Sequence, residues 1–263
     1  MTKYAPILLF VYNRPEHLKQ TMETLQNNTL AAESELYIYS DAARKDTDEA
    51  AVAEVRNYIH KITGFKSITL IEREKNWGLA RNIIDGVTTQ VNRFGRVIVM
   101  EDDLITAPYF LQFMNDALET YKDEPRVGHI QACDFTNDPS LPDTFLIKFT
   151  GSWGWATWDR AWKYFNPDGK ELLRQLEERN LTRRFDLNGN AEAPNRGKKQ
   201  FMGHPLECQP VFSRYPLVKH RTFTYSEHRF RWKRHQLRWW RFIQFHLMDE
   251  TAPNRKMVAN RRK

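Results

Sequence analysis

Three consecutive carboxylates, Glu101-Asp102-Asp103, follow directly on the apolar run Val97-Ile98-Val99-Met100. Acids placed where a buried strand emerges repel one another, and the repulsion is costly unless a cation neutralises it. Mg²⁺ and Mn²⁺ take carboxylate oxygens together with substrate phosphates, leaving most of the coordination sphere to water and ligand. The triplet therefore suits a divalent metal held together with a phosphorylated substrate. A lone acidic triplet reads more simply as a solvated turn. What favours the metal here is position, because the carboxyl end of a fully apolar strand is the edge at which α/β sheets bind ligands.

The elements that must place this triplet alternate along the chain. Ala5 to Tyr12 is an apolar, partly β-branched run that stops at Asn13-Arg14-Pro15, and Glu16 to Leu25 carries Leu18, Met22 and Leu25 at helical spacing. A second strand, Glu35 to Tyr39, ends at Ser40-Asp41, and a charged helix over Thr47 to Lys61 sets Val52, Val55 and Ile59 on one face. Ser67 to Ile71 is a third strand, Leu79 to Val91 a third helix, Arg96 to Met100 the fourth strand, and Pro108 opens a helix through Tyr121. Residues 125 to 165 read as short strands, and Glu171 to Arg179 as a polar helix. This alternation predicts an α/β fold with a mostly parallel sheet flanked by helices. Asn13-Arg14, Asp41 and the acidic triplet each follow the last apolar residue of a strand, so the topology brings them to one rim.

The segments PILLFVYNRPEHL, YIYSDAARK, EKNWGLARNIIDGV, VIVMEDDLITAPYFLQFMNDAL and GSWGWATWDRAW together resemble the GT-A glycosyltransferases. The resemblance is to bacterial relatives of family 2 and to the N-acetylglucosaminyltransferase that begins complex N-glycan branching, and it covers residues 5 to about 187. It implies a nucleotide-diphospho-sugar transferase fold. It further implies that Asn13 and Arg14 line the nucleotide pocket, that Asp41 meets base or ribose, and that Asp103 is the metal ligand. Glu101 and Asp102 would contact ribose and sugar, while Asn76, Gly78 and Arg81 would shape the loop near the diphosphate. These assignments make physical sense: a guanidinium forks onto phosphate, a carboxylate accepts from hydroxyl or imide groups, and glycine admits close backbone approach. For Arg81 a plain helix-surface charge is an equal reading.

Trp153-Gly154-Trp155 lies in a stretch that sets small residues between indoles. Ordinary core packing accounts for most tryptophans, and the resemblance adds a second role, a wall for donor or acceptor sugar. His17, His60 and His129 have no partner spacing and read as structural or surface residues. Cys133 and Cys208 are too few for a disulfide framework and have no zinc spacing, so they read as reduced thiols.

The 263 residues carry a net charge of +7, which raises nucleic acid or membrane as partners, but the charge is not evenly spread. From Ala191 to Lys263 there are 17 Lys and Arg against 5 Asp and Glu, so the body before it is acidic. No apolar run approaches the length of a membrane span, and the N-terminus has no signal-peptide pattern, so a cytoplasmic location is expected. After Asn190 neither helical nor strand periodicity continues. Lys199 to Phe212, KQFMGHPLECQPVF, back-translated and read one nucleotide later, permits KNNSWAIRWNASLF with no stop forced. The same offset across Ser213 to Trp240 permits RDIPLLNIGRSLIQNIGFDGSGTNCGG, and both strings resemble acceptor-side segments of the family. Some shifted residues are forced: Met202-Gly203 must yield Trp, and Trp239-Trp240 must yield Gly. A frameshift between about Leu187 and Ala191 is therefore expected. Residues 1–190 would then be a donor-binding domain with an incomplete acceptor side, and 191–263 a basic aromatic tail that was never selected to fold.

The function expected is metal-dependent transfer of a sugar from a nucleotide diphosphate, UDP-linked, to a glycan or lipid-linked acceptor, with Mn²⁺ or Mg²⁺ as cofactor. The resemblance implies inversion, with an acceptor-side carboxylate as base; no catalytic residue can be named in this chain. Two rival classes stay open: an inactive remnant that at most binds nucleotide, and a protein that uses its basic tail on a membrane surface or nucleic acid. Of these partners nucleic acid is not expected, whereas peripheral contact with the inner face of the membrane is compatible with the tail. A nucleotidyltransferase would want an N-terminal Gly-rich phosphate loop, which the sequence lacks.

Overall fold

A computed structural model describes residues 3–132, 144–147, 150–185 and 242–245. Strands β1 (Ile7–Val11), β2 (Glu35–Ser40), β3 (Ser67–Glu72) and β4 (Arg96–Glu101) alternate with helices α1 (Pro15–Gln26), α2 (Glu49–Ile59) and α3 (Leu79–Phe94). Then come α4 (Phe110–Thr120), β5 (Val127–Gln131), β6 (Phe145–Ile147), β7 (Trp155–Trp158), α5 (Asp159–Trp162), α6 (Gly169–Glu178), α7 (Thr182–Phe185) and β8 (Phe242–Phe245). Asp168 explains why α6 starts ahead of the expected Glu171: its carboxylate accepts from the N–H groups of Lys170 (3.0 Å) and Glu171 (3.2 Å).

One sheet runs in the order β3-β2-β1-β4-β7-β5-β8-β6. The first four strands are parallel, with Ile7 beside Leu36 on one side and Ile98 on the other. The chain moves outward from β1 to β3 and then returns to place β4 on the free side of β1. That reversal makes a switch point, and the crevice at the carboxyl ends of β1 and β4 is where ligands of such sheets bind. Beyond β4 the expected parallel order gives way: β7 is antiparallel to both β4 and β5. Counting the β6–β8 pair, four of the seven strand pairings among the described residues are parallel and three antiparallel, so the sheet is mostly parallel as expected, with an antiparallel part around β5 and β7.

Alternation along the central strands builds a core on each face. Ile7, Leu9 and Val11 of β1, Leu36 and Ile38 of β2, and Ile98 and Met100 of β4 pack with Leu18, Met22 and Leu25 of α1, Val55 and Ile59 of α2, and residues of α4. Leu8 and Phe10, Tyr37 and Tyr39, and Val97 and Val99 point the other way, onto Ile83, Val87 and Val91 of α3. Strands buried on both faces read as continuous apolar runs, as these do. Gly86 lets α3 approach closely: a Cβ there would stand 2.8 Å from Phe10 Cζ and 3.0 Å from Tyr39 Cζ. Phe10 and Tyr39 stack on each other at 5.0 Å between ring centroids.

Within residues 191–263 the described part is β8, which pairs with β5 and β6. The remainder, and with it the expected lack of order, lies outside the described residues, as do Cys133 and Cys208. Among the described residues no helix is long and apolar enough to cross a membrane.

Candidate functional site

A pocket of about 270 Å³ opens at the switch point, lined among others by Arg14, Asp41, Asn76, Gly78, Glu101 and Asp102. Six of the sequence-derived site residues thus share one cavity, contributed by the ends of β1, β2 and β4 and the start of α3. The Phe10–Tyr39 stack forms part of its wall.

Asp102 knits this rim together. Its carboxylate is paired with the Arg14 guanidinium and accepts from the Tyr12 N–H at 3.4 Å, while its carbonyl accepts from Thr21 Oγ1 at 2.9 Å. Only 1% of the residue is exposed, so it joins the end of β4 to the start of α1. Arg14 forks: its second nitrogen donates to Asp103 Oδ2 at 2.9 Å. Burial pulls against the Arg14 charge, but Asp102 and Asp103 outweigh it and leave its pKa raised. Asp103 itself is not part of the pocket lining; its side chain is 38% exposed at the margin.

Glu101 stands apart from this pairing, with no hydrogen-bond or ion-pair partner among the described residues. Burial first, then the charges of Asp103 and Asp102, push its pKa from 4.5 up to about 7, against the opposing pull of Arg14. A carboxyl that keeps its proton to higher pH when folded than when unfolded makes stability fall as pH climbs through that window. Metal-free protein should therefore lose stability between pH 4.5 and about 7. Glu101→Gln is expected to flatten this fall and to stabilise the chelated protein at pH 8 by up to about 3 kcal/mol. Thermal unfolding in chelator at pH 5 and pH 8 checks it, and an unchanged pH dependence in the variant would count against the buried charge.

The carboxylate of Asp41, expected to meet base or ribose, is largely taken up by backbone. Oδ1 accepts from the N–H groups of Ala42 (3.0 Å) and Trp77 (2.9 Å), and Oδ2 from that of Gly78 (2.8 Å). Three of its roughly four acceptor positions are filled. Asn76 adds a bond from Nδ2 to the Ala42 carbonyl at 2.7 Å. The loop before α3 is thereby fastened to the end of β2, and Gly78, at φ +75°, makes the turn that an L side chain would strain. Asp41, Asn76 and Gly78 all line the pocket, and Asp41 is bonded to the loop before α3.

Two expected contacts sit at the margin. Asn13 donates from Nδ2 to Asp48 Oδ1 at 3.1 Å, and Tyr12 donates its hydroxyl to Asp48 Oδ2 at 2.8 Å. Arg81 lies over the Trp77 ring at 4.1 Å, with Arg73 over the same ring at 3.8 Å. Neither Asn13 nor Arg81 lines the pocket. The tryptophan wall is not assembled there either: Trp155 is 8% exposed and stacks between His129 (5.2 Å) and Trp162 (6.1 Å). Gly154 turns at φ +62° against Phe110, and neither it nor Trp153 and Trp155 lines the pocket. Core packing is the role this geometry gives Trp155. His129 and His60 are structural, bonded to the Gly151 carbonyl (3.0 Å) and Glu72 (2.8 Å).

Arg44, Tyr12, Leu79 and Asn82 also line the pocket and were not singled out from the sequence. Both Arg44 and Tyr12 stood inside the quoted motifs, Tyr12 beside Asn13 and Arg44 three positions past Asp41. The Arg44 N–H donates to the Tyr12 hydroxyl at 2.9 Å, a link across the ends of β1 and β2 that no spacing reveals.

A metal fits this rim in one way. No group of three or more His, Cys, Asp or Glu among the described residues is arranged to hold an ion alone. Yet Glu101 and Asp102 line the pocket, Asp103 stands part-exposed at its margin, and Arg14 is paired with Asp102 and Asp103. That donor set suits a hard cation with few protein ligands, completed by ligand phosphates and water.

The glycosyl transferase family 2 model matches residues 7–179. No curated protein matches the chain. Among solved structures, the mannosyltransferase PcManGT of Pyrobaculum calidifontis, in complex with GDP-Man and Mn²⁺, is 14% identical at TM-score 0.43 over 62% of this chain and 47% of that one. The S. aureus TarS segment 1–349 is 15% identical at TM-score 0.33 over 52% and 38%. The apo-form glycosyltransferase GlyE of Streptococcus pneumoniae TIGR4 is 12% identical at TM-score 0.30 over 79% and 53%. The chain spans less than half the length of the first two. With the family matched across the four parallel strands, the pocket and α6, the chain belongs to glycosyl transferase family 2, with the α/β fold of the GT-A nucleotide-sugar transferases, and is by family a glycosyltransferase.

Proposed function

We propose that the pocket at the β1–β4 switch point binds a nucleoside diphosphate sugar, uridine-linked, together with Mn²⁺ or Mg²⁺, for transfer to a glycan or lipid-linked acceptor hydroxyl. The observation that carries this is the meeting of opposite charges in one cavity. Arg14 and Arg44 share the lining with Glu101 and Asp102, and the 16-residue helix α3 begins there with no side-chain cap on its first turn. A helix N-terminus and guanidinium groups attract phosphate, and carboxylates accept from sugar hydroxyls. Asp103 would hold the cation with the diphosphate oxygens, and the bound cation would offset charge on the leaving diphosphate. Arg14 binds and orients the phosphates. The Asp41-fastened loop fixes their approach, and the Phe10–Tyr39 stack keeps water from the pocket wall. The motifs resemble the N-acetylglucosaminyltransferases of N-glycan branching, and a cytoplasmic role in surface polysaccharide synthesis, at the inner face of the membrane, suits them.

Calorimetry with UDP and GDP, each with Mn²⁺ and with chelator, tests the reading. UDP should bind more tightly with Mn²⁺, and Asp103→Ala should remove the metal-dependent part because one anionic ligand is lost. Equal UDP affinity with and without metal would remove the metal from the reading, and preference for GDP would replace the base.

The proposal extends to residues 191–263, which we read as an out-of-frame tail appended to a donor domain of residues 1–190. The forced Trp from Met202-Gly203 and the forced Gly from Trp239-Trp240 support it. The charge break at the same junction does too. Sequencing the locus around Asn190 decides it: a single-nucleotide correction upstream of the KNNSWAIRW string establishes the shift, and an unchanged sequence refutes it. The inactive remnant describes the chain with its present tail, while the frame-restored chain would be the transferase.

A further inference from the structure

We propose that Arg14 gates Asp103. The guanidinium holds the carboxylate that would ligate the cation, and an incoming diphosphate draws Arg14 off and opens that ligand. The inference rests on the reading of Asp103 as the cation's protein ligand and adds to it a defined coupling between two binding events.

The geometry supplies each part. Arg14 forks across Asp102 and Asp103, with one nitrogen 2.9 Å from Asp103 Oδ2 and the other paired with Asp102. The two acids differ. The Asp102 side chain is 2% exposed and also takes the Tyr12 N–H, whereas the Asp103 side chain is 38% exposed and has Arg14 as its ion-pair partner. Buried Asp102 is the anchor and Asp103 the releasable arm. The Arg14 backbone is fixed, since Pro15 begins α1 beside it and its carbonyl accepts from the Leu18 N–H at 3.0 Å. Its side chain is 42% exposed and lines the pocket, so the guanidinium is open both to Asp103 and to a phosphate bound there.

Two cations cannot share Asp103 without repulsion, so Arg14 must weaken metal binding wherever it stays in place. A diphosphate offers the guanidinium a bidentate partner of higher charge than a single carboxylate. Nucleotide binding then does two things at once: it brings phosphate oxygens for the cation and removes the competitor from Asp103. By linkage, metal must tighten nucleotide by the same factor that nucleotide tightens metal.

The test reads Mn²⁺ binding directly, from the free-ion electron paramagnetic resonance signal, in the protein as given with and without UDP. The parent should bind Mn²⁺ weakly alone and much more tightly with UDP. Arg14→Gln should tighten Mn²⁺ in the absence of nucleotide by about tenfold and shrink the gain from added UDP. Arg14→Lys, which keeps a cation for buried Asp102 but cannot fork, should tighten Mn²⁺ alone to an intermediate degree. It serves as the deciding variant should the glutamine variant unfold. Unchanged or weaker Mn²⁺ affinity in the folded variant, with UDP-dependent Mn²⁺ binding intact in the parent, overturns the gate. Absence of UDP-dependent Mn²⁺ binding in the parent overturns the reading of Asp103 itself, and the gate with it.

Discussion

Restoring the reading frame near Asn190 is expected to turn a chain with no measurable sugar transfer into an active one. Among the described residues the pocket is lined by residues 10 to 102, so a frame change after 187 would leave that lining intact. What such a change would remove is the acceptor side, where the family resemblance puts the base that takes the acceptor proton. Loss of a positioned general base costs typically 10²–10⁴-fold, and loss of the acceptor's binding surface removes the orientation on which a near-attack geometry depends. Together these should bring transfer below detection. Product formation from labelled UDP-sugars, compared between the two chains, measures it. Comparable turnover by both would show that no essential chemistry lies beyond the junction.

The second large effect is structural. Asp41→Ala leaves the N–H groups of Ala42, Trp77 and Gly78 without their carboxylate at a position only 5% exposed. Hydrogen bonds to a charged group contribute roughly 1.5–3 kcal/mol each, and because the three donors are part-buried, water takes up part of what is lost. The expected loss is about 3–5 kcal/mol in urea unfolding. Asp41→Asn keeps one acceptor oxygen but turns an amide N–H₂ towards a backbone donor, so it should fall between the two. If Asp41→Ala stayed within about 1 kcal/mol of the parent, the loop would not depend on that carboxylate. UDP should also bind more weakly to the alanine variant, through the displaced loop.

The parts of this fold that sequence made legible are those whose pattern repeats. Leu18-Met22-Leu25 and Val52-Val55-Ile59 marked the buried faces of α1 and α2, and both trios are buried. The apolar run ending at Glu101 marked the central strand and the edge at which the pocket opens. The direction of β7 was not legible, because Trp155-Ala156-Thr157-Trp158 carries no signal of which way it runs; pairing with β4 and β5 sets that. Asp41 shows a second limit. A carboxylate just past a strand looks the same whether it accepts from a ligand or from three backbone N–H groups, and only the turn at Gly78 tells the two apart. Asn13 shows a third, since its partner Asp48 lies in the short 3₁₀ turn Asp46–Asp48 that helical spacing merges with α2.

The placement of β4 against β1 has a kinetic consequence. Ile7 pairs with Ile98, and all of α1, β2, α2, β3 and α3 lies between them in the chain. Contacts of such sequence separation form late, because the loop between them must close before they gain anything. The Tyr12 N–H to Asp102 bond and the Arg14–Asp102 pair span the same gap, so the ligand crevice cannot exist before the β1–β4 ladder zips. Folding should therefore pass through species in which β1, β2 and β3 are aligned while nothing can yet bind. A ligand added during refolding would slow unfolding without hastening the rate-limiting step.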